Sequence, residues 1–218
     1  MRNAQQAPAH ATGVGRAIIG DGDLDWQALL PHLTDRYTCH LPSTRGRGLS
    51  GDHPDLGLGP VVDDFLTYVD SIGEPTGLVG WSGGATWALA MAAQSDAVHA
   101  VAPVEPVANS LMDEQELAAL GDAVARAGEL AAEGNLTAAM RVFAGFPFTD
   151  EDIAAAADSG YFDAAGRYAP NMVNFFQQLM EYEGPIPDDP AVLARSRLRC
   201  WCCSDQTPSP TPPAPRGT

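Results

Sequence analysis

Residues 76–90 read TGLVGWSGGATWALA, and how this stretch is read decides the fold. A short apolar run ends in Gly80-Trp81-Ser82-Gly83-Gly84, and an Ala-rich amphipathic stretch follows at once. When a strand passes directly into a helix at one residue, that residue takes a strained backbone, and the positions two before and two after it must be small. Gly80 and Gly84 hold those positions. Ser82 is therefore the candidate nucleophile, its hydroxyl lifted off the sheet's carboxyl edge, and the N–H of Gly83 at the following helix start is the candidate oxyanion donor. The same letters also suit a Gly-rich turn whose serine caps the helix, or a phosphate loop. A phosphate loop calls for a lysine, and the chain has none.

The flanking sequence alternates in the rhythm of a parallel sheet. DLDWQALLPHLTDRY places Leu24, Leu29, Leu30 and Leu33 near helical spacing, and YTCHL reads as a short strand. LPSTRGRGLSGDHPDLGLGP is a Gly/Pro-punctuated loop, and PVVDDFLTYVDSIG sets Val61, Val62, Phe65, Leu66, Val69 and Ile72 on one helical face. VHAVAPV, from Val98, is a second buried strand. Strand, helix, strand implies an α/β fold with a mostly parallel sheet and helices on both faces. After Pro106 the sequence turns to Ala-rich helices: SLMDEQELAALGDAVARAGELAAEG, TDEDIAAAADSG and NMVNFFQQLMEYEG. Ser110 with Asp113, and Thr149 with Asp152, resemble capping boxes at two of their starts. The expected organisation is a disordered or misread segment 1–16, a core over 17–107, a helical cap over 108–186 and an irregular tail over 187–218.

Composition narrows the function. Twenty-eight acidic residues against twelve arginines give a net charge of −16, which repels nucleic acid and anionic membrane surfaces. No apolar run reaches the roughly 20 residues of a spanning helix, and the first ten residues lack a secretory apolar core. A soluble, cytoplasmic protein with a small-molecule substrate is expected. No cofactor is implied, and nothing sets the oligomeric state. Cys200, Cys202 and Cys203 crowd beside Trp201, but without a nearby His or a second Cys pair they do not make a metal site.

On these residues the sequence resembles the α/β-hydrolase superfamily, serine-nucleophile branch, over roughly residues 24–190. GWSGG resembles the family's nucleophile elbow. RGRGLS (45–50) looks like its D-x-R-G-x-G-x-S loop, with Ser43 where that motif carries Asp. VAPVEPVA is similar to the family's next strand, whose end often reads E-P. The resemblance implies a helical cap shaping the substrate pocket and acyl-enzyme chemistry on a small ester or amide. The family's H-G oxyanion turn has no clear counterpart in GRAIIGDGDLDW, so the second oxyanion donor is unassigned.

The chain order in this fold is Ser, acid, His. The five histidines are His10, His32, His40, His53 and His99, and none follows the cap. His53 and His99 are the alternative bases, each more simply a structural residue, and Glu105 at its strand's end is an alternative acid. Without an imidazole a serine is close to inert at neutral pH. Apolar strands carrying acid and base are due after the cap, where the chain instead reads ARSRLRCWCCSDQTPSPTPPAPRGT. Charge reverses there: residues 1–190 hold 8 Arg and 27 acids, and residues 191–218 hold 4 Arg and one acid. Cys is encoded only by TGC or TGT and Trp only by TGG. Regrouping the bases from each third position therefore turns Cys200-Trp201-Cys202-Cys203 into Leu-Val-Leu. The flanking codons permit V-L-V-L-L-G-S-D, a buried strand running into an acidic turn. The expectation is a frame shift near Arg195, a chain lacking its last strands with a sheet edge and an apolar face left exposed, and a remnant stripped of triad acid and base. Phe146, Phe148, Phe175 and Phe176 are either cap core or the lining of an apolar acyl site.

Overall fold

The computed structural model describes residues 9–14 as backbone, and residues 20–184, 186 and 188–194. Among these, β1 (Ala9–Val14), β2 (Tyr37–His40), β3 (Thr76–Trp81) and β4 (Val98–Val104) form one parallel sheet in the order β2-β1-β3-β4. The chain steps outward from β1 to β2, then back past β1 to β3 and on to β4. Right-handed crossovers in opposite directions place their helices on opposite faces. Accordingly α1 (Gly22–Trp26) belongs to one face, and α2 (Leu58–Ile72) and α3 (Gly83–Ala92) to the other. Phe65 of α2 meets Trp87 of α3 at 6.2 Å between ring centroids. Across the sheet, Leu29, Leu30 and Leu33 face Cys39, Leu41 and Val79 around a small gap.

The apolar face read for α2 is the face that packs: Val61, Val62, Phe65 and Val69 are buried. Gly73, at φ 71°, ends the helix in the left-handed conformation that glycine adopts without steric cost. β4 spans the residues expected of it but is not the buried strand expected: only Val98 is buried, because β4 is the outer strand of the described sheet. Three further expectations need correction. Residues 9–14 of the supposedly disordered or misread segment 1–16 form β1, held by ladders to β2 and β3 on both sides; pairing on two edges overrides a local sequence without period. The other residues of that segment lie outside the described residues. The helix suggested by Leu24 to Leu33 divides, because Pro31 permits only a 3-10 turn, Leu30–His32, after α1. The first long helix after β4 starts three residues late: α4 (Glu114–Ala132) is capped by Asp113 with Glu116, not by Ser110 with Asp113.

The Thr149–Asp152 box is present, at the start of α6 (Asp150–Asp158). Between and after these lie α5 (Leu136–Ala144), α7 (Tyr161–Gly166) and α8 (Ala169–Met180), separated by turns in which Gly134 and Gly160 have positive φ. α8 ties this helical block to the core: Phe175 meets Trp87 at 5.7 Å and Phe176 meets Phe143 at 5.3 Å. Burying each such ring stabilises by about 1.5–3 kcal/mol. Within the segment expected to be an irregular tail, Asp189 caps a short helix α9 (Pro190–Leu193). Residues 187 and 195–218, the stretch read as out of frame, lie outside the described residues. β4 has no partner on its outer side among the described residues, and Val104 is 47% exposed.

Candidate active site at the end of strand β3

The strands end in register, Val14 beside Gly80 and Trp81 beside Val104. Ser82 extends the ladder by one bond, its N–H donating to Val104 O at 3.0 Å. Its backbone lies at φ 55°, ψ −127°, a conformation that costs a non-glycine residue of order 1–3 kcal/mol. Ser82 O then accepts from the N–H groups of Ala85 and Thr86, so α3 begins at once. A Cβ on Gly80 would sit 2.5 Å from Gly84 O and 2.6 Å from the Ala85 Cα, which is why position 80 carries no side chain. Gly83 is the first residue of α3, where N–H groups have no intrahelical acceptor.

Ser82 opens into a cavity of about 440 Å³ between the sheet edge and the helical block. Phe146, Phe148, Phe175 and Phe176 all line it, with Trp81 and Trp87. Phe175 and Phe176 are buried as well, so core packing and cavity wall are one role here. Glu105 also reaches this cavity. It is the second non-glycine residue with positive φ among the described residues, at 45°, and it directly follows the last residue of β4. Two cavity residues escaped the sequence reading. Asp188 accepts from Ser110 N–H at 2.8 Å, a pairing across 78 residues with no local signal. Asn109 presents a buried Oδ1 without a hydrogen-bond partner among the described residues.

The alternative bases are elsewhere. His53 lines a separate, open cavity, and its Nδ1 takes the Asp55 N–H at 3.0 Å and faces Arg45 Nη1 at 3.2 Å. His99 is the extra residue of a bulge at the far end of β4, exposed and roughly 16 Å of strand from the Ser82 end. His32 is exposed, and His40 pairs with the Tyr68 hydroxyl at 3.2 Å. His10 lies level with Thr76, at the opposite end of β3 from Ser82. No imidazole whose side chain is described lines the Ser82 cavity. Gly83, the candidate first oxyanion donor, opens α3 directly after Ser82. The chain leaves β1 beside Gly80, and residues 15–19, where a second donor would be sought, lie outside the described residues.

The RGRGLS loop is a structural clamp. Arg45 forks onto Asp64 with two contacts of 2.7 Å. Arg47 is 4% exposed, donates to Gly20 O at 3.0 Å, and burial pulls its guanidinium pKa down to about 10. Asp21, capping α1, accepts from the N–H groups of Asp23 and Leu24, from Arg167 at 3.0 Å and from the Tyr168 hydroxyl. Burial pushes the Asp21 carboxyl upward, and these donors more than reverse it, so its pKa falls below the ordinary value. The network ties the helical block to the loop after β1. Ser43, in place of the motif's Asp, accepts Gly22 N–H at 3.1 Å.

No helix among the described residues is long and apolar enough to cross a membrane. Comparison with known proteins supports the α/β fold. A family profile described as the alpha/beta hydrolase family matches residues 10–216. Among solved structures, an alpha/beta hydrolase from Sphaerobacter thermophilus is similar at TM-score 0.59 and 22% identity, over 87% of this chain and 68% of that one. An alpha/beta hydrolase enzyme from a Medee basin deep-sea metagenome library is similar at TM-score 0.61 and 16% identity, over 88% of this chain and 70% of that one. No curated protein matches. With most of its length matched by that profile, the chain belongs to the alpha/beta hydrolase family.

Proposed function

We propose that this chain is a serine hydrolase that opens a small ester- or amide-like substrate through an acyl-enzyme on Ser82. The observation that carries the proposal is the strained Ser82 backbone at the floor of an aromatic cavity. The Ser82 oxygen bonds to the substrate carbonyl carbon while Gly83 N–H stabilises the oxyanion, the hydroxyl proton leaves with the departing alcohol or amine, and water then hydrolyses the acyl-enzyme to the free acid and restores the hydroxyl. The helices over residues 114–180 act as the cap that closes the acyl site. The acidic surface favours a small substrate over nucleic acid, and the composition suits the cytoplasm. A burst of p-nitrophenol from p-nitrophenyl butyrate, equal to the enzyme concentration and lost in Ser82→Ala, is the expected result. A burst that survives the substitution refutes the reading.

One observation favours a second reading, a catalytically inactive remnant. Ser82 needs a proton acceptor, and the ionisable groups among the described cavity residues are the carboxylates of Glu105 and Asp188. On this reading the triad acid and base were encoded in the stretch now read as residues 195–218, in another frame. Sequencing the gene from the codon of Pro190 onward tests it: an unbroken frame giving the same tail ends the idea.

A further inference from the structure

Among the described residues, the charges lining the Ser82 cavity are all of one sign. Its walls are aromatic and aliphatic, yet its ionisable residues among those described are two carboxylates, Glu105 and Asp188, with no arginine or histidine beside them. Asn109 adds an unpartnered buried oxygen. The Thr86 hydroxyl faces the same cavity, but it already donates to Val107 O at 2.7 Å. Residues 108–186, which cover the cavity, hold thirteen acidic residues against three arginines. A carboxylate-bearing ligand entering this space would be repelled by fixed charge, with no cationic side chain among the described lining residues to pair it. An ammonium would meet the exposed Glu105 carboxylate, the half-buried Asp188 carboxylate, which also accepts from Ser110 N–H, and ring faces, a combination that attracts cations.

We propose that the Ser82 cavity selects molecules with an apolar body and an ammonium end, the rings of the helical block enclosing the body and the Glu105 and Asp188 carboxylates compensating the cation. This names the substrate class of the site and rests on the reading of Ser82 as its reactive centre. Its binding half is measurable without chemistry.

The test uses the full chain carrying Ser82→Ala and three ligands sharing one body: 4-phenylbutylammonium, 4-phenylbutanol and 4-phenylbutyrate. Isothermal titration calorimetry should find the ammonium bound at least about tenfold more tightly than the carboxylate, with the alcohol between. The difference should shrink as salt is raised, and fall below about threefold in the near-isosteric Glu105→Gln/Asp188→Asn variant. The overall charge of −16 favours cations at any surface, so loss of preference in that variant is the decisive part. Should the double variant fail to fold, the same comparison in each single variant must show a partial loss. Equal or tighter binding of the carboxylate, an unchanged preference in the variants, or no binding of any ligand at millimolar concentration overturns the proposal. Selective binding with no burst at Ser82 in the unsubstituted chain retains this inference and rejects the hydrolase reading.

Discussion

Replacing Ser82 by glycine should make the protein more stable while removing its proposed chemistry. At φ 55°, ψ −127° a side chain costs of order 1–3 kcal/mol, and the Ser82 side chain makes no capping bond to α3 that would offset it. Glycine removes the strain but adds about 0.5–1 kcal/mol of unfolded-chain entropy. The net expectation is a gain of about 0–2.5 kcal/mol, centred near 1 kcal/mol. For a chain of this size each kcal/mol moves the melting midpoint by about 2–4 °C, so Ser82→Gly should melt higher, by about 2–4 °C at the centre of that range and by at most about 10 °C. Ser82→Ala keeps the Cβ and the strain, and should melt close to the parent. Differential scanning calorimetry of the three proteins decides it. Ser82→Gly melting at or below Ser82→Ala would show that the turn is relaxed, and the argument from strain to nucleophile would fall.

Gly80→Ala drives a Cβ into the backbone of Gly84 and Ala85, and should destabilise by about 3 kcal/mol or more in urea. Gly121→Ala, in the interior of α4 with open space around it, should stabilise by about 0.5–1 kcal/mol in the same titration. Tyr168→Phe removes the hydroxyl that bridges Asp21 and Gly48 N–H, and should cost about 1–3 kcal/mol. Asp21 has its folded-state pKa depressed, so its contribution is present above the unfolded carboxyl pKa and lost as pH falls through the folded one. The urea midpoint should therefore drop below about pH 4, and Asp21→Asn should flatten that drop.

The elbow, the α2 face and β4 were legible because each carries its own pattern: small residues flanking Ser82, an apolar stripe from Val61 to Val69, and an apolar run from Val98. β1 was not, since AHATGV has no period of its own and its place depends on neighbours far along the chain. The start of α4 was misplaced because two overlapping cap signals, Ser110-x-x-Asp113 and Asp113-x-x-Glu116, compete, and only contacts decide between them. Leu136, Met140 and Phe143 of α5 do repeat at helical spacing, a signal present but unused. The site was half legible. Ser82, Gly83 and Glu105 could be named from motif and position, whereas Asp188 and Asn109 reach the cavity through long-range packing that no local pattern encodes.

The most direct measurement is peptide mapping by mass spectrometry after exposure to a fluorophosphonate, which reacts preferentially with an activated serine. The account predicts a single stoichiometric adduct on the peptide containing Ser82, absent in Ser82→Ala. No adduct at any serine, or an adduct elsewhere that persists in that variant, would contradict it.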